Sequence, residues 1–163
     1  MNTTNTPQAL MACIDTECAL VAEFIETLAA ESQILETGQP DDLVASTTQK
    51  EQCAEKISQA AQQREKLLQE LGYSGDNAGL QAASKNYPEI SAAVGKLLDL
   101  ALQARRQNET NGAAIAFLLR QNQQMIEALQ RLAGASEVYD ASGKSKTLDA
   151  PTTQPRLKPV KAG

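Results

Sequence analysis

Apolar side chains recur along residues 90–132 without a change of phase. Stepping alternately by four and three gives Ile90, Val94, Leu97, Ala101, Ala104, Asn108, Asn111, Ile115, Leu118, Asn122, Met125, Leu129 and Leu132, which is ten apolar positions and three Asn. That spacing belongs to one face of an α-helix. Asn111-Gly112 is ordinarily a turn signal, but a turn there would leave the phase beyond it arbitrary. The phase is kept, so one helix passes through Gly112, at about 1 kcal/mol for the glycine. Some forty residues at about 1.5 Å each make a helix of roughly 65 Å. This is longer than its expected neighbours, so apolar surface should be left for another chain to cover.

Two helices precede it. Thr6-Pro7 supplies a hydroxyl cap and a proline at the first helical position. Met11, Ile14, Cys18, Val21, Ile25, Leu28 and Leu35 form the first stripe, widened by Leu10, Leu20, Phe24 and Ile34. Gly38 and Pro40 should stop it. Asp41 and Asp42 open the second helix at its positive end, with a stripe of Leu43, Thr47, Lys50, Ala54, Ile57, Ala61, Arg64, Leu68 and Leu71. Gly72 ends it, and a short helical piece through Leu80 and Ala83 precedes Tyr87-Pro88. Leu (19), Ala (26) and Gln (17) dominate the 163 residues, Trp is absent, and Phe plus Tyr number five, a composition that favours helix over sheet.

The expected fold is all-α, an antiparallel bundle of three long helices (a hairpin plus one longer helix) with a flexible C-terminal tail. The bundle should occupy residues 1–139, with helices at about 6–37, 41–71 and 88–133. Residues 140–163 carry Pro151, Pro155 and Pro159 and a net charge of +3, and should be disordered without a partner. A short hairpin connection makes the first two helices antiparallel, so facing residues have numbers with a constant sum. Glu31 with Lys50 and Glu17 with Arg64 both sum to 81, which pairs both charges of the second stripe with acids. Their stems should cover the seam while the heads meet at its edge and penalise slipped registers.

Charge and residue types exclude several functions. There is no His, which removes His-based nucleophile systems. Residues 1–139 hold 18 acids against 10 bases, net −8, so nucleic acid is not an expected partner. Cys13, Cys18 and Cys53 match no disulfide framework or zinc spacing and read as small buried hydrophobes; no cofactor is implied. The first residues show no secretory signal and no run is apolar enough for membrane insertion, so the expected location is cytoplasmic. An enzyme built on Glu17, Glu31 and Lys50 would lack a Gly-rich loop or nucleophile turn beside them.

Asn108 and Asn111 sit on consecutive layers of the long seam. They either pin the bundle or, with Gly112, form a dent where another backbone finds amide partners. Tyr139, in Val138-Tyr139-Asp140-Ala141-Ser142-Gly143, reads as an anchor on the bundle or on a partner.

Taken together these residues resemble the FlgN family, the chaperones of flagellar type III export. The resemblance rests on an acidic first helix with Glu31 near its end, then Lys50, then Arg64-x-x-Leu67-Leu68-x-x-Leu71-Gly72. Asn108-x-x-Asn111-Gly112-x-x-Ile115 and Tyr139-Asp140-x-x-Gly143 follow. It implies that the chain binds the hook-associated proteins FlgK and FlgL, keeps them from premature assembly and delivers them to the export gate. By resemblance, Tyr139, Asp140 and Gly143 would dock on the gate. The cargo surface would be Asn108, Asn111, Gly112, Ile115, Leu118, Leu119, Met125, Ile126, Leu129 and Leu132, with Val138 and Leu148 beyond. A weak homodimer is left open, and the competing reading is a self-associating coiled-coil adaptor with no export role. Reversing Glu17 or Arg64 alone should lower the melting temperature, and reversing both together should restore most of the loss.

Overall fold

Helix α1 (Pro7–Thr37) opens on its proline, which needs no N–H donor at that position. The computed structural model describes residues 7–38 and 40–136. The cap residue Thr6 and everything from residue 137 onward, including Val138, Tyr139, Asp140, Gly143, Leu148 and the expected tail, lie outside the described residues. Gly38 ends α1 with φ +72°, its N–H donating to Ile34 O at 2.9 Å. Pro40 is no stop signal: it is the first residue of α2 (Pro40–Glu70), where its fixed φ suits a helix start. Gly72, φ +87°, closes α2. Its N–H reaches Gln69 O, and the N–H of Tyr73 reaches Leu68 O at 2.9 Å, the double bond of a glycine-terminated helix.

The short piece before Pro88 is a helix, α3 (Asn77–Asn86). Asp76 caps it, its carboxylate accepting from Gly79 N–H at 2.9 Å and from Ser74 Oγ at 2.6 Å. The Ser74 hydroxyl first, then the Gly79 amide, hold that carboxyl below its ordinary range. The rings of Tyr73 and Tyr87 meet edge to face at 6.2 Å, and Asn86 Nδ2 donates to the Tyr73 hydroxyl at 2.7 Å, tying both ends of α3 together. A 3₁₀ turn at Pro88–Ile90 leads into α4 (Ser91–Ser136), which runs through Asn111-Gly112 without a break. The fold is all-α.

The chain divides into two units, residues up to Leu118 and residues from Leu119 onward. In the first, α1 and α2 are antiparallel, because Lys50 meets Glu31 and Arg64 meets Glu17. The first part of α4 runs parallel to α1: Cys18 Sγ lies 3.8 Å from Ala93 O, and Asn111 Nδ2 lies 2.8 Å from Leu28 O. One end of this bundle is apolar, with Leu10, Ile14, Cys18 and Val21 packed on Leu67, Leu68, Leu80, Ile90, Val94 and Leu97. Toward the other end the buried residues turn polar, with Thr27, Glu31, Ser46 and Asn111. Burial pushes the thiols of Cys13 and Cys18 above their ordinary value, which keeps them protonated and unreactive.

Alternate seam positions of α4 differ from the expected pattern. Ile90, Leu97, Ala104 and Asn111 are buried at steps of seven, but Ala101 and Asn108 are exposed. Val94, between Ile90 and Leu97, is still buried, and only beyond Leu97 does a single side chain per two turns face the bundle while the residue between turns outward. A Cβ on buried Gly79 would collide with Ser74 O, whereas one on Gly95 meets open space. Gly79→Ala should therefore cost about 1–3 kcal/mol and Gly95→Ala should add about 0.5–1 kcal/mol, both measurable by urea unfolding.

Candidate functional site

The described part of the second unit is helix α4 from residue 119 onward. Its large apolar side chains are Leu119 (63% exposed), Met125 (64%), Ile126 (49%), Leu129 (59%) and Leu132 (67%). At 3.6 residues per turn they fall within about 140° of arc, with Asn122 inside the same stripe. The opposite side carries Arg120, Gln124, Glu127 and Arg131, with Gln123 and Gln130 at its border with the stripe. It is knitted by Gln123 Nε2 donating to Glu127 Oε1 at 3.1 Å and an Arg131–Glu127 ion pair at 3.9 Å, i,i+4 contacts that support a helix from its polar side. A continuous exposed apolar face of this kind marks an interaction surface. Full burial of a Leu, Ile or Met side chain is worth about 1.5–3 kcal/mol. Covering five that are already partly shielded yields on the order of 5 kcal/mol before association costs.

The other proposed contact residues fall elsewhere. Ile115 and Leu118 are half-buried in the first unit, and Asn108 and Gly112 are exposed, with open space above Gly112. Asn111 is 1% exposed, and this corrects its reading as part of a dent. Its Nδ2 donates to Leu28 O at 2.8 Å and to Glu31 Oε2 at 2.9 Å, so its donors are spent inside the bundle. Phe117 (54% exposed) and Leu102 (49%) are outward apolar residues that the seam pattern leaves out. Each is off the 4/3 stepping, and the only signal for them is a large apolar residue on a flank otherwise filled by polar ones.

The four charged residues of the hairpin come together in two pairs. Lys50 Nζ donates to Glu31 Oε1 at 2.8 Å, so the Glu31 carboxylate accepts from α2 through one oxygen and from α4 through the other. Arg64 Nε and Nη2 donate to the two oxygens of Glu17 at 2.7 and 3.3 Å. Glu31 is fully buried and Glu17 is 5% exposed, so the acids do not meet their partners at an exposed edge as expected: the carboxylates sit inside and the bases reach in to them. With each of these two carboxylates committed to a cation, the arrangement fixes helices in place. Among the described residues no cluster of His, Cys, Asp or Glu could hold a metal ion, and no helix is long and apolar enough to cross a membrane.

A helical bundle with an exposed amphipathic helix defines a protein-binding scaffold, in which recognition depends on surface complementarity. The family model described as FlgN protein matches residues 1–147, and the chain belongs to the FlgN family, the flagellar export chaperones for FlgK and FlgL. FlgN is a chaperone family, not an enzyme family. No curated protein and no solved structure matches the chain.

Removing one partner of a buried ion pair strands the other. Glu31→Ala should cost about 3–5 kcal/mol, while Arg105→Ala, which breaks a 2.9 Å pair with Glu109 between side chains 77% and 62% exposed, should leave the unfolding midpoint unchanged. Parallel urea titrations compare the two.

Proposed function

We propose that this chain is a cytoplasmic chaperone that binds the hook-associated proteins FlgK and FlgL, keeps them from assembling prematurely and hands them to the export gate. The observation that carries this reading is the exposed apolar face of α4 between Leu119 and Leu132. An amphipathic helix of the cargo laid along that face would bury both stripes at once, which is helix-on-helix capture without chemistry. Proteins that polymerise through helical termini are held apart as long as those termini are covered. The segment that follows, with Val138 and Leu148, extends the contact in this proposal.

Gate docking is assigned to Tyr139, Asp140 and Gly143. Its support is the family resemblance of the Tyr-Asp-x-x-Gly motif together with the physics of a lone aromatic anchor in an aromatic-poor chain. Separating the two contacts, cargo on α4 and gate on the motif, lets one chaperone hold both during transfer.

The test is calorimetric titration of purified FlgK and FlgL into the full chain and its variants. Leu129→Glu combined with Leu132→Glu should weaken binding about 100-fold or more, the equivalent of two apolar anchors. Helical content and melting should stay unchanged, since both side chains are already exposed. Deleting residues 134–163 should likewise abolish cargo binding at unchanged helicity. Tyr139→Ala should keep FlgK binding and lose binding to the purified cytoplasmic domain of the gate. Wild-type affinity in the double variant would overturn the assignment of the face.

A further inference from the structure

We propose that the exposed face of α4 takes two helices of one cargo molecule, laid side by side, and that a single helix leaves part of it uncovered. This rests on the cargo reading above and adds to it the number and arrangement of the cargo's helices. The face is three rows wide. Leu118, Met125 and Leu132 form one row, Asn122 and Leu129 the middle row, and Leu119 and Ile126 the third, each repeating every seven residues. A helix that pairs with one partner in a narrow seam is apolar on two such rows. Apolar residues on three of seven positions belong to a helix with neighbours on both flanks, as in a bundle.

The third row changes character along α4. Its members in the first unit are Leu98, Arg105 and Gly112: Leu98 is half-buried, the Arg105 side chain is 77% exposed in its pair with Glu109, and a Cβ on Gly112 would meet open space. Charged and small residues of this kind need no cover. Leu119 and Ile126 follow on the same row, 63% and 49% exposed. The first row, by contrast, continues from Ala104 and Asn111 into Leu118, Met125 and Leu132 at an unchanged spacing. What is added from residue 119 onward is an apolar flank, and an apolar flank calls for a neighbour of its own.

Met125 and Ile126 are consecutive, so they stand at nearly one level, about 100° apart. A helix seated over Met125 and Leu132 reaches the middle row and leaves Leu119 and Ile126 in water; one seated over Ile126 does the reverse. Two helices cover all three rows and meet each other over Asn122 and Leu129, which then line the axis of a three-helix core. Asn122 on that axis needs a polar side chain from one of the two. The outer borders are Gln121 and Ala128 on one side and Gln123 and Gln130 on the other. No charge there selects the helices, so the fit is one of shape. Both helices come from one cargo chain because the second then docks without a second association cost.

A benzophenone amino acid in place of Met125 in one full chain, and of Ile126 in another, reads the two flanks at one level. Irradiated in complex with purified FlgK and mapped by mass spectrometry, the two chains should label different helical segments of FlgK, in a complex that light scattering shows to be one to one. Labels from both positions within one turn of a single FlgK segment overturn the two-helix arrangement. Two FlgK molecules in the complex overturn the single-chain source, and a label on a second copy of this chain gives that flank to the chaperone and overturns it equally. Alanine pairs supply a readout free of the bulky label. Leu119→Ala with Ile126→Ala, and Met125→Ala with Leu132→Ala, should each weaken FlgK binding about tenfold or more by calorimetry. Full affinity in either pair leaves its row uncovered and overturns the arrangement. FlgK that binds but fails these tests sinks the arrangement alone, whereas FlgK and FlgL that do not bind the unaltered chain sink the cargo reading and the arrangement with it.

Discussion

The Glu31 carboxylate accepts one hydrogen bond from Lys50 on α2 and another from Asn111 on α4, at 2.8 and 2.9 Å, while fully buried on α1. Three helices are thus referred to one side chain. Removing a carboxylate from water is costly, and an apolar replacement of similar volume can be as stable, so the value of the arrangement lies in specificity. An apolar seam of Leu and Ala tolerates a slip of one turn with little change in buried area. A seam holding a buried acid does not, because each slip leaves a desolvated charge without its partner. Glu17 with Arg64 repeats the constraint fourteen residues along α1, four turns away. Two such pairs on one hairpin fix both its offset and its direction, and Asn111 extends the same reference to α4.

The bundle is mainly apolar at one end, where the Glu17–Arg64 pair is the exception, and more polar toward the other, where Leu28 is still buried. Leu10, Ile14, Leu68, Leu80 and Ile90 bring together α1, α2, α3 and the start of α4, where four elements enclose a volume that only apolar side chains fill well. Toward Asn111 three helices remain, and fewer neighbours leave less apolar area to bury. Hydrogen bonds to charged groups, worth about 1.5–3 kcal/mol each, compensate there for the thinner core. Asn111 in particular spends its amide on the carbonyl of Leu28, which gives α4 a fixed height against α1.

Much of this was legible in the sequence, and what was not has physical reasons. Continuity of α4 through Gly112 followed from preserved phase, since a turn has no cause to restore it. The facing of Glu31 with Lys50 and of Glu17 with Arg64 followed from antiparallel arithmetic. Depth did not: the spacing that puts Glu31 on the seam says nothing about whether its carboxylate lies at the rim or inside, because that depends on a third helix arriving with an amide. Asn111 and Asn108 were equivalent in one dimension, yet one is buried and the other exposed, since helix crossing decides which of two seam rows meets the groove. Pro40 was read as a terminator when it starts α2, an ambiguity built into proline, which both follows helices and opens them. Tyr139 was legible from its own chemistry as an anchor, whereas the gate docking of Tyr139, Asp140 and Gly143 was given only by resemblance.

The same contrast separates two kinds of asparagine on one helix. Asn111 is enclosed, has its partners within the bundle, and adds to rigidity. Asn122, eleven residues on, sits in a stripe of exposed Leu, Ile and Met, where any helix that covers it must either supply an amide partner or accept the loss of its hydration. On the proposed reading of this face as the cargo surface, Asn122 discriminates between helices. A purely apolar stripe would bind any greasy helix, including the aggregation-prone segments of unfolded chains. One polar position in the middle lowers affinity for all of them and lowers it least for a partner with a matching polar group at the same level.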